Sequence, residues 1–383
     1  MRTPRTKRHP RGLVSAFLVT FVLRLLQPQR SRAEDQAQVK FEHYQEDNNR
    51  IEVNTASLLF DLSLSPDVSL RGLAVYDAIS GATPTGALPA TPKGPVPVVE
   101  LDDKRYAGMF EVTRRFGRYS ITPQLSYSTE SDYQSRGLAL NQSLEFNQKN
   151  TTLNLGIAHN FDRILPGNST LLKEERKDST DVMLGVTQLL GPKAMLTVNF
   201  TYGYADGYLA DPYKGFVFDY YPGGLLPEKR PDFRNRQVGY LGYTQFITPL
   251  NASTELSYRI SHDSFGILSH TLSAEWFQKI GRHVILSPSF RYYTQSAADF
   301  YLLHFPGDPT LDPTGVPPAY SSDYRLSKLD TFTYGIKAVV KLGDRWTLDA
   351  AYHRYEMIGR DHITSPSAYP KANIFTFGVG VKF

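Results

Sequence analysis

The 383-residue sequence predicts an all-β fold: a transmembrane, up-and-down antiparallel β-barrel of about 16 strands, with short periplasmic turns and long extracellular loops. Three observations predict it. Apolar and polar residues alternate with period two in segment after segment, connections alternate between short and long, and the final segment alternates up to a terminal phenylalanine. The predicted organisation is a signal peptide, residues 1–33, followed by one barrel, residues 34–383.

The first 33 residues have the order of a secretory signal peptide. Residues 1–11 are basic without an acid, residues 12–23 are uncharged and mostly apolar, and Ser31 and Ala33 place small side chains before a cut after Ala33. The apolar run is too short to span a bilayer. We therefore expect a cleaved peptide and export to the bacterial outer membrane.

The net charge depends on this segment. The chain has 42 Lys and Arg against 38 Asp and Glu, a formal charge of +4. Residues 1–33 hold eight of the basic residues and no acid, so the mature chain carries −4. We therefore expect no nucleic-acid partner. The absence of cysteine excludes disulfides, thiolate-ligated metals and thioether-attached haem, and we expect no cofactor.

Sixteen segments alternate and are predicted strands. From Leu196 to Tyr204, for example, every second residue is apolar or aromatic, and successive side chains of a strand point to opposite faces. The segments are 37–46, 51–64, 67–79, 103–116, 118–129, 137–147, 151–162, 180–190, 194–205, 236–248, 253–262, 267–279, 283–294, 328–342, 345–358 and 372–383.

The connections between the predicted strands alternate between two kinds along the sequence. One set is short and rich in Gly, Pro and Asn, whereas the other is mostly long. Outer-membrane barrels show this asymmetry, and a soluble sandwich has no reason to. The long set comprises 80–102, 130–136, 163–179, 206–235, 295–327 and 359–371, while the first and sixth external links, EDNNR and DSFGI, are short.

The C-terminal segment and the aromatic residues favour a membrane environment. Trp276, Trp346 and Tyr119 fall at the periplasmic end of the apolar face, and Tyr202 and Tyr204 at its outer end, as in the aromatic girdles of barrels. We expect lipids and lipopolysaccharide around the wall and binding of the last strand by the barrel-assembly machinery. The alternative is that the C-terminal segment is an ordinary edge strand. The assembly signal comprises Phe375, Phe377, Val379, Val381 and Phe383.

Alternation also predicts which side chains line the lumen. Both charge signs are present without a ring of one sign, so the pattern favours a solvated, internally paired wall over a charge-selective filter. The candidates are Arg71, Asp77, Glu111, Arg115, Glu145, Asp162, Arg259, Glu275, Arg291, Lys337, Lys341, Asp349 and His353.

No sequence motif predicts catalysis or metal binding. None of the nine histidines has close metal-ligand spacing with another, and no nucleophile elbow or phosphate loop occurs. Ser269 and His270 lie in the most suggestive cluster. As neighbours on one strand they point to opposite faces and cannot act as nucleophile and base. We expect no enzyme, with a rim enzyme acting on lipid or peptide as the least favoured alternative.

The long loops contain unusual tyrosine-rich and charged sequences. Two interpretations are equally favoured: a rim that binds a ligand or partner, and a plug packed by Asp–Arg pairs and stacked tyrosines. The candidate rim residues are Asp211, Tyr213, Lys214, Asp232, Arg234, Gln295 and Asp299.

The strings DAISGATP, ADPYK, PEKRPDFR, DSFGILSHTLSAEW and RYYTQSAADFY resemble the recurrent blocks of a bacterial outer-membrane family catalogued as domain of unknown function, family 3570. The resemblance covers nearly the whole mature chain, although Thr83 and Ala210 stand where the family usually has serine. It implies an outer-membrane β-barrel and brings no substrate or catalytic residue.

Three functions are compatible with these observations. The favoured one is a porin-like channel or passive transporter of an unidentified solute. The second is a scaffold or sheath for an exported partner protein, for instance a redox or assembly protein, which would bring its own cofactor. The rim enzyme is the third.

Overall fold

The computed structural model describes residues 35–165 and 173–383. Sixteen strands form a closed barrel in which neighbouring strands run antiparallel and the first and last strands pair with each other. This confirms the predicted fold and strand number. The predicted signal peptide and part of the predicted 163–179 loop lie outside the described residues.

The strands are β1 (Gln36–Glu46), β2 (Ile51–Ser65), β3 (Val68–Pro84), β4 (Val98–Phe116), β5 (Tyr119–Thr129), β6 (Tyr133–Phe146), β7 (Thr151–Ile164), β8 (Glu175–Gly191), β9 (Ala194–Gly207), β10 (Gly215–Phe218), β11 (Leu225–Pro227), β12 (Phe233–Ile247), β13 (Ala252–Asp263), β14 (Leu268–Ile280), β15 (Val284–Gln295), β16 (His304–Phe305), β17 (Leu329–Leu342), β18 (Trp346–Gly359) and β19 (Lys371–Lys382). Three of them, β10, β11 and β16, form a separate small sheet outside the barrel.

Short 3₁₀ helices are the helical elements of the described residues. They are Asp47–Asn49, Asn147–Lys149, Thr248–Leu250, Tyr324–Leu326 and Pro366–Ala368. None of these helices is long and apolar enough to cross a bilayer.

The two ends of the barrel differ in their connections. At the turn end, strands are joined by tight turns, and Gly117 (φ 61°) and Gly281 (φ 60°) adopt the left-handed conformation that glycine tolerates best. At the loop end, the largest connections are residues 208–232 and 296–328.

Several strands extend three to five residues further towards the loop end than the alternation predicted. The predicted 130–136 loop is wrong, since β6 begins at Tyr133 and only residues 130–132 connect it to β5. β8 begins at Glu175 instead of residue 180 because residues 175–179 are polar on both faces, which removes the alternation without removing the strand.

The apolar faces of the strands point outward. Phe41, Leu125 and Phe200 have 56%, 57% and 51% of their surface exposed, although such side chains are buried in soluble proteins. Trp346 is half-exposed at the turn end, and Tyr202 and Tyr204 are exposed near the loop end. The outer surface of the barrel is therefore an apolar belt with aromatic residues towards both ends.

β19 is a fully paired strand. It pairs with β18 on one side and with β1 on the other, in a register that runs from Gln36 opposite Lys382 to Glu46 opposite Ala372. The alternative of an ordinary C-terminal edge strand is therefore wrong. Phe375 and Phe377 are exposed on its outer face, and the same alternation continues through Val379 and Val381.

The outward orientation predicts unequal costs for a charge on adjacent residues near the middle of β13. Leu256 is 47% exposed on the outer face, whereas Ser257 is half-buried on the lumen face, two residues before the cavity-lining Arg259. We expect Leu256→Arg to lower the free energy of unfolding in lipid vesicles by about 2–4 kcal/mol, because the guanidinium meets hydrocarbon. Urea titration of the refolded barrel measures it. Ser257→Arg is the matched control, and an equal loss there would contradict the assigned orientation.

Candidate functional site

Two long loops, residues 208–232 and 296–328, fold together at the loop end and are called the lid here. They contribute β10, β11 and β16, in which β10 pairs antiparallel with β11 and parallel with β16. An isolated bridge between Lys229 and Tyr320 joins the two loops again. The lid is therefore an ordered unit built from two chain segments about 90 residues apart in sequence.

Apolar side chains form a core inside the lid. Phe216 and Phe218 are 0% and 1% exposed and pack edge-on or tilted against Tyr320, with ring centroids 4.8 and 5.0 Å away. A second cluster joins Phe300 and Leu326 to Phe265, which lies in the connection between β13 and β14. Burial of these rings holds the lid together and against the barrel rim.

A buried ion cluster lies beside this core. Asp323, whose side chain is 0% exposed, accepts from Arg230 at 2.8 Å and from the Arg325 Nε at 2.9 Å. Arg230 also pairs with Glu228 at 2.8 Å, and Arg325 with Asp211. Each buried charge therefore has a partner of opposite sign, which offsets its desolvation.

Burial and the neighbouring charges shift the pKa values of the ionisable groups in and beside this cluster. Burial opposes ionisation of Asp323, but the charge of Arg325, its hydrogen bonds and the charge of Arg230 outweigh burial and lower the pKa to about 2. Glu228 behaves differently, because burial raises its pKa more than Arg230 and the Ser321 hydroxyl lower it. Burial likewise lowers the pKa of the Lys214 ammonium. Asp323 is therefore ionised at neutral pH and supplies the negative charge to which Arg230 and Arg325 bind.

Hydrogen bonds tie the lid across the barrel mouth. The Lys214 Nζ donates to the Pro84 carbonyl and, at 3.0 Å, to the Thr83 hydroxyl, both at the end of β3. The Tyr213 hydroxyl donates to Asp132, between β5 and β6. Five strands separate β9, where this loop starts, from β3 along the shorter way round the barrel. The lid therefore bridges the mouth.

Below the lid lies a cavity of about 1220 Å³. Its walls are lumen-facing residues of β12 to β15 and of β6 to β9, and lid residues such as Asp211, Arg325 and Leu326 line its outer side. A smaller cavity of about 370 Å³ adjoins it, and Tyr240 and Arg291 line both. The lumen is thus partly open and lined by charged and hydroxyl groups.

The predicted lumen residues occupy different surroundings. Arg71 pairs with Asp61 at 2.5 Å and with Glu111 at 3.3 Å, and Asp77 pairs with Arg105 at 2.5 Å. Asp349 accepts from Gln38 at 3.1 Å, Glu145 lies 3.6 Å from Lys149, and Asp162 lies 3.0 Å from Lys177. Arg259 and Arg291 line the large cavity, and Glu275 and His353 the smaller one. Arg115, Lys337 and Lys341 have no ion pair within the described part of the chain.

The predicted rim residues belong to the lid or its attachment to the rim. Arg234 donates to Asp263 and lies over the Phe265 ring, and Gln295 donates to the Ser327 carbonyl at 2.8 Å. Asp232 and Asp299 contribute main-chain hydrogen bonds, to Gly207 and Phe265 respectively. Asp211, Tyr213 and Lys214 make the contacts described above. These contacts are those of a packed plug, and ligand binding by these residues stays a prediction.

Ser269 and His270 make hydrogen bonds on opposite faces of β14. The Ser269 hydroxyl lies 2.6 Å from that of Ser261, inside the barrel, whereas the His270 Nδ1 lies 2.7 Å from the Tyr258 hydroxyl, outside. The two side chains do not form a nucleophile–base pair.

One group of carboxylates has ligand atoms close enough for a metal ion. Asp103, Glu130 and Asp132 offer oxygens within 4.8 Å of one another at the loop end. The Ser131 amide already donates to Asp103 and the Tyr213 hydroxyl to Asp132. The group therefore has protein donors of its own.

Sequence reasoning missed the residues that hold the lid together, namely Phe216, Glu228, Arg230, Asp323 and Arg325. The strings ADPYK and PEKRPDFR contained a signal, because they combine acids, bases and aromatic residues in one loop. The string containing Asp323, YSSDYRL, has the same combination but was not singled out. The two loops are paired by contacts such as that between Arg230 and Asp323. These two residues are 93 positions apart, so a local sequence pattern does not reveal their contact.

The closed sixteen-strand barrel with an apolar outer belt and a polar lumen defines a β-barrel membrane protein of the outer-membrane type. The family model described as "Protein of unknown function (DUF3570)" matches residues 15–369, and the chain belongs to this family. Two of the five strings that resemble family blocks meet at the loop end, where Lys214 of ADPYK contacts Thr83 of DAISGATP.

Solved structures share the barrel architecture at low sequence identity. The siderophore receptor PirA from Pseudomonas aeruginosa is 10% identical, with 92% of this chain and 62% of that chain covered and a TM-score of 0.43. CdiB from Acinetobacter baumannii is 9% identical, with 92% and 61% covered and a TM-score of 0.53. Pseudomonas aeruginosa OccK2 (OpdF), solved with glucuronate, is 10% identical, with 91% and 98% covered and a TM-score of 0.44.

The chain spans about three fifths of the length of PirA and CdiB. The similarity to CdiB shows the fold alone. The barrel fold itself supports outer-membrane localisation. These neighbours are a receptor, CdiB and a protein solved with a sugar acid, and their functions do not transfer to this chain at such identity. No curated protein matches the chain.

The ion cluster predicts that Asp323→Asn loosens the lid and spares the barrel. Removing one member of a buried ion pair costs about 3–5 kcal/mol, so amide exchange in residues 214–218 should accelerate at least about 100-fold. Hydrogen exchange followed by mass spectrometry measures this. Arg163→Ala, which breaks the exposed pair with Glu174, is the control and should change exchange little. Equal exchange in Asp323→Asn and the wild type would contradict the role of the cluster.

The titration of Asp323 predicts an acid-sensitive lid. Its pKa is about 2 in the folded lid, below the ordinary value of 3.8, so its stabilisation is almost complete above pH 4 and is lost as the pH falls towards 2. The raised pKa of Glu228 acts in the opposite direction and does not produce loosening in acid. Pepsin cleavage of the lid at pH 2 should exceed that at pH 4, after normalisation to an unstructured peptide of the same sequence. A constant normalised rate would contradict this assignment.

Proposed function

We propose that this protein is a porin-like outer-membrane channel through which small hydrophilic solutes pass passively. The observation that carries the proposal is the cavity of about 1220 Å³ lined by charged and hydroxyl side chains. Sixteen strands enclose a lumen wide enough for water, and a polar lumen lets a solute exchange its hydration shell for wall contacts. The lid is the constriction of this channel.

The lid gives the channel a size limit at its outer end. Lys214 and Tyr213 attach one of its loops to the far side of the mouth, and the apolar core keeps both loops together. A solute then passes beside the lid or when the lid moves. Loops held in this way reduce the open cross-section without blocking the polar wall below.

A sheath for an exported partner protein is the second candidate. The same bridging of the mouth favours it, because a lid across the lumen limits free passage of solutes. A partner would supply any redox cofactor, since the chain has no cysteine to attach haem covalently. Recovery of one stoichiometric partner with the purified barrel, together with no conductance, is the result expected for a sheath.

The proposal includes export, membrane assembly and the absence of catalysis. Residues 1–33 act as the cleaved signal peptide, the outer face of β19 is bound by the barrel-assembly machinery, and lipids with lipopolysaccharide surround the apolar belt. Phe375 and Phe377, exposed on β19, support this role. The opposite orientation of Ser269 and His270 supports a barrel without a catalytic pair at this rim.

Single-channel recording tests the channel. The full-length protein, purified from outer membranes and checked by heat-modifiable gel mobility, should give stepwise conductance in planar bilayers. Arg325→Ala removes the bonds of this side chain to Asp211 and Asp323, and it should raise the mean conductance because the lid loosens. Arg163→Ala should conduct like the wild type. Absence of conductance from both the wild type and Arg325→Ala, with folded barrels, would sink the proposal.

A further inference from the structure

Two arginines face the large cavity without an acidic partner. Arg259 on β13 and Arg291 on β15 both line it, and both are exposed to its interior. In residues 35–165 and 173–383, neither guanidinium has a carboxylate within 4.0 Å, and neither side chain donates a hydrogen bond to protein. A guanidinium is always protonated in proteins, so two uncompensated positive charges project into the lumen.

Four of the five other cations that line this cavity have a close acidic partner. Arg234 binds Asp263, Arg325 binds Asp323 and Asp211, and Lys177 lies 3.0 Å from Asp162. The lining acids Asp263, Asp323 and Asp211 are therefore neutralised within the protein. The other two lining acids, Glu130 and Asp132, have no ion pair among the described residues, but they lie between β5 and β6, on the opposite side of the barrel from β13 and β15. Arg236 also projects into the cavity and has only a distant acid, Asp181, at 3.9 Å. The field beside the wall formed by β13 to β15 consequently attracts anions.

The strand register brings the two arginines to one part of the wall. Arg259 lies opposite Thr271, and Arg291 lies opposite Ser273, two residues along the same face of β14. The strand spacing and rise per residue put their Cα atoms about 12 Å apart, so both long side chains can reach one group between them.

The surroundings hold these side chains in place for a ligand. The Arg259 guanidinium lies over the Tyr240 ring, 6.0 Å from its centroid, which orients its donors. Thr271 lies between the two arginines, and its hydroxyl makes no side-chain hydrogen bond among the described residues. The site thus offers two guanidinium forks and one hydroxyl.

We propose that Arg259, Arg291 and Thr271 form a lumen site for the anionic oxygens of a small hydrophilic solute, a carboxylate or a phosphate. Guanidinium matches either group with paired N–H···O bonds. The inference deepens the proposed function and rests on it, because it names the class of solute that the channel carries.

The wall below the site changes sign. Glu255 lies directly opposite Glu275 in the adjoining cavity that Arg291 also lines. The charge of Lys337 acts on Glu275 and offsets part of this negative charge. An anion moving from Arg291 towards the turn end still meets a net negative charge, which repels it. The arginines therefore retain an anion above this point, so the expected signature is saturable binding and partial block of the pore.

Calorimetric titration of the detergent-solubilised full-length protein tests the site. The probes are citrate, inorganic phosphate and, as the uncharged comparison, glucose. Citrate or phosphate should bind at neutral pH and glucose should not, and whichever anion binds more tightly identifies the preferred group. The double variant R259A/R291A should weaken binding at least about tenfold, since hydrogen bonds to charged groups are lost. R259K/R291K should retain part of the affinity, because charge remains and the planar fork is lost.

A matched double variant controls for net charge. R115A/K341A removes two cations that lie towards the turn end, outside both cavities, and should leave anion binding unchanged. Equal weakening in both double variants, or unchanged binding in R259A/R291A, would overturn the site. Conductance recorded on the same samples separates the proposals. If anion binding depends on the two arginines but the protein shows no conductance, the channel proposal alone is refuted. If the protein conducts but anion binding does not depend on the arginines, the site alone is refuted.

Discussion

The organisation of this protein depends on the hydrogen bonding of its backbone in hydrocarbon. Water is absent there, so every main-chain N–H and C=O within the membrane needs a partner in the protein. Pairing of β1 with β19 removes the last two edges of the sheet and meets this requirement. Closure also assigns one face of each strand to lipid and the other to the lumen.

Because the apolar faces of the strands meet lipid, the buried hydrophobic core of this protein lies outside the barrel wall. The apolar side chains of the barrel face outward, so they cannot form an interior. Buried rings such as Phe216, Phe218 and Phe300 lie instead at the loop end, together with the buried carboxylate Asp323. The part of this protein that most resembles a soluble domain is therefore its lid, whose stability depends on packing and ion pairing rather than on the bilayer.

The alternation of residues predicted the barrel because it is a local property, imposed by lipid on every second side chain. It placed β9 and β19 within a few residues of their observed ends and misplaced the start of β8, where residues 175–179 lie beyond the region of alternation. Parity also marked Arg259 and Arg291 as lumen candidates. It gave no information on which charges are paired, because partners such as Arg230 and Asp323 come from different loops.

The seam between β1 and β19 has a consequence for biogenesis. It joins residues as far apart in sequence as Gln36 and Lys382, and such long-range contacts raise the contact order of the protein. The other barrel pairs form between strands that are consecutive around the sheet and close in sequence. Until β19 pairs with β1, the sheet has two unpaired edges, whose main-chain donors and acceptors are open to pairing with other chains.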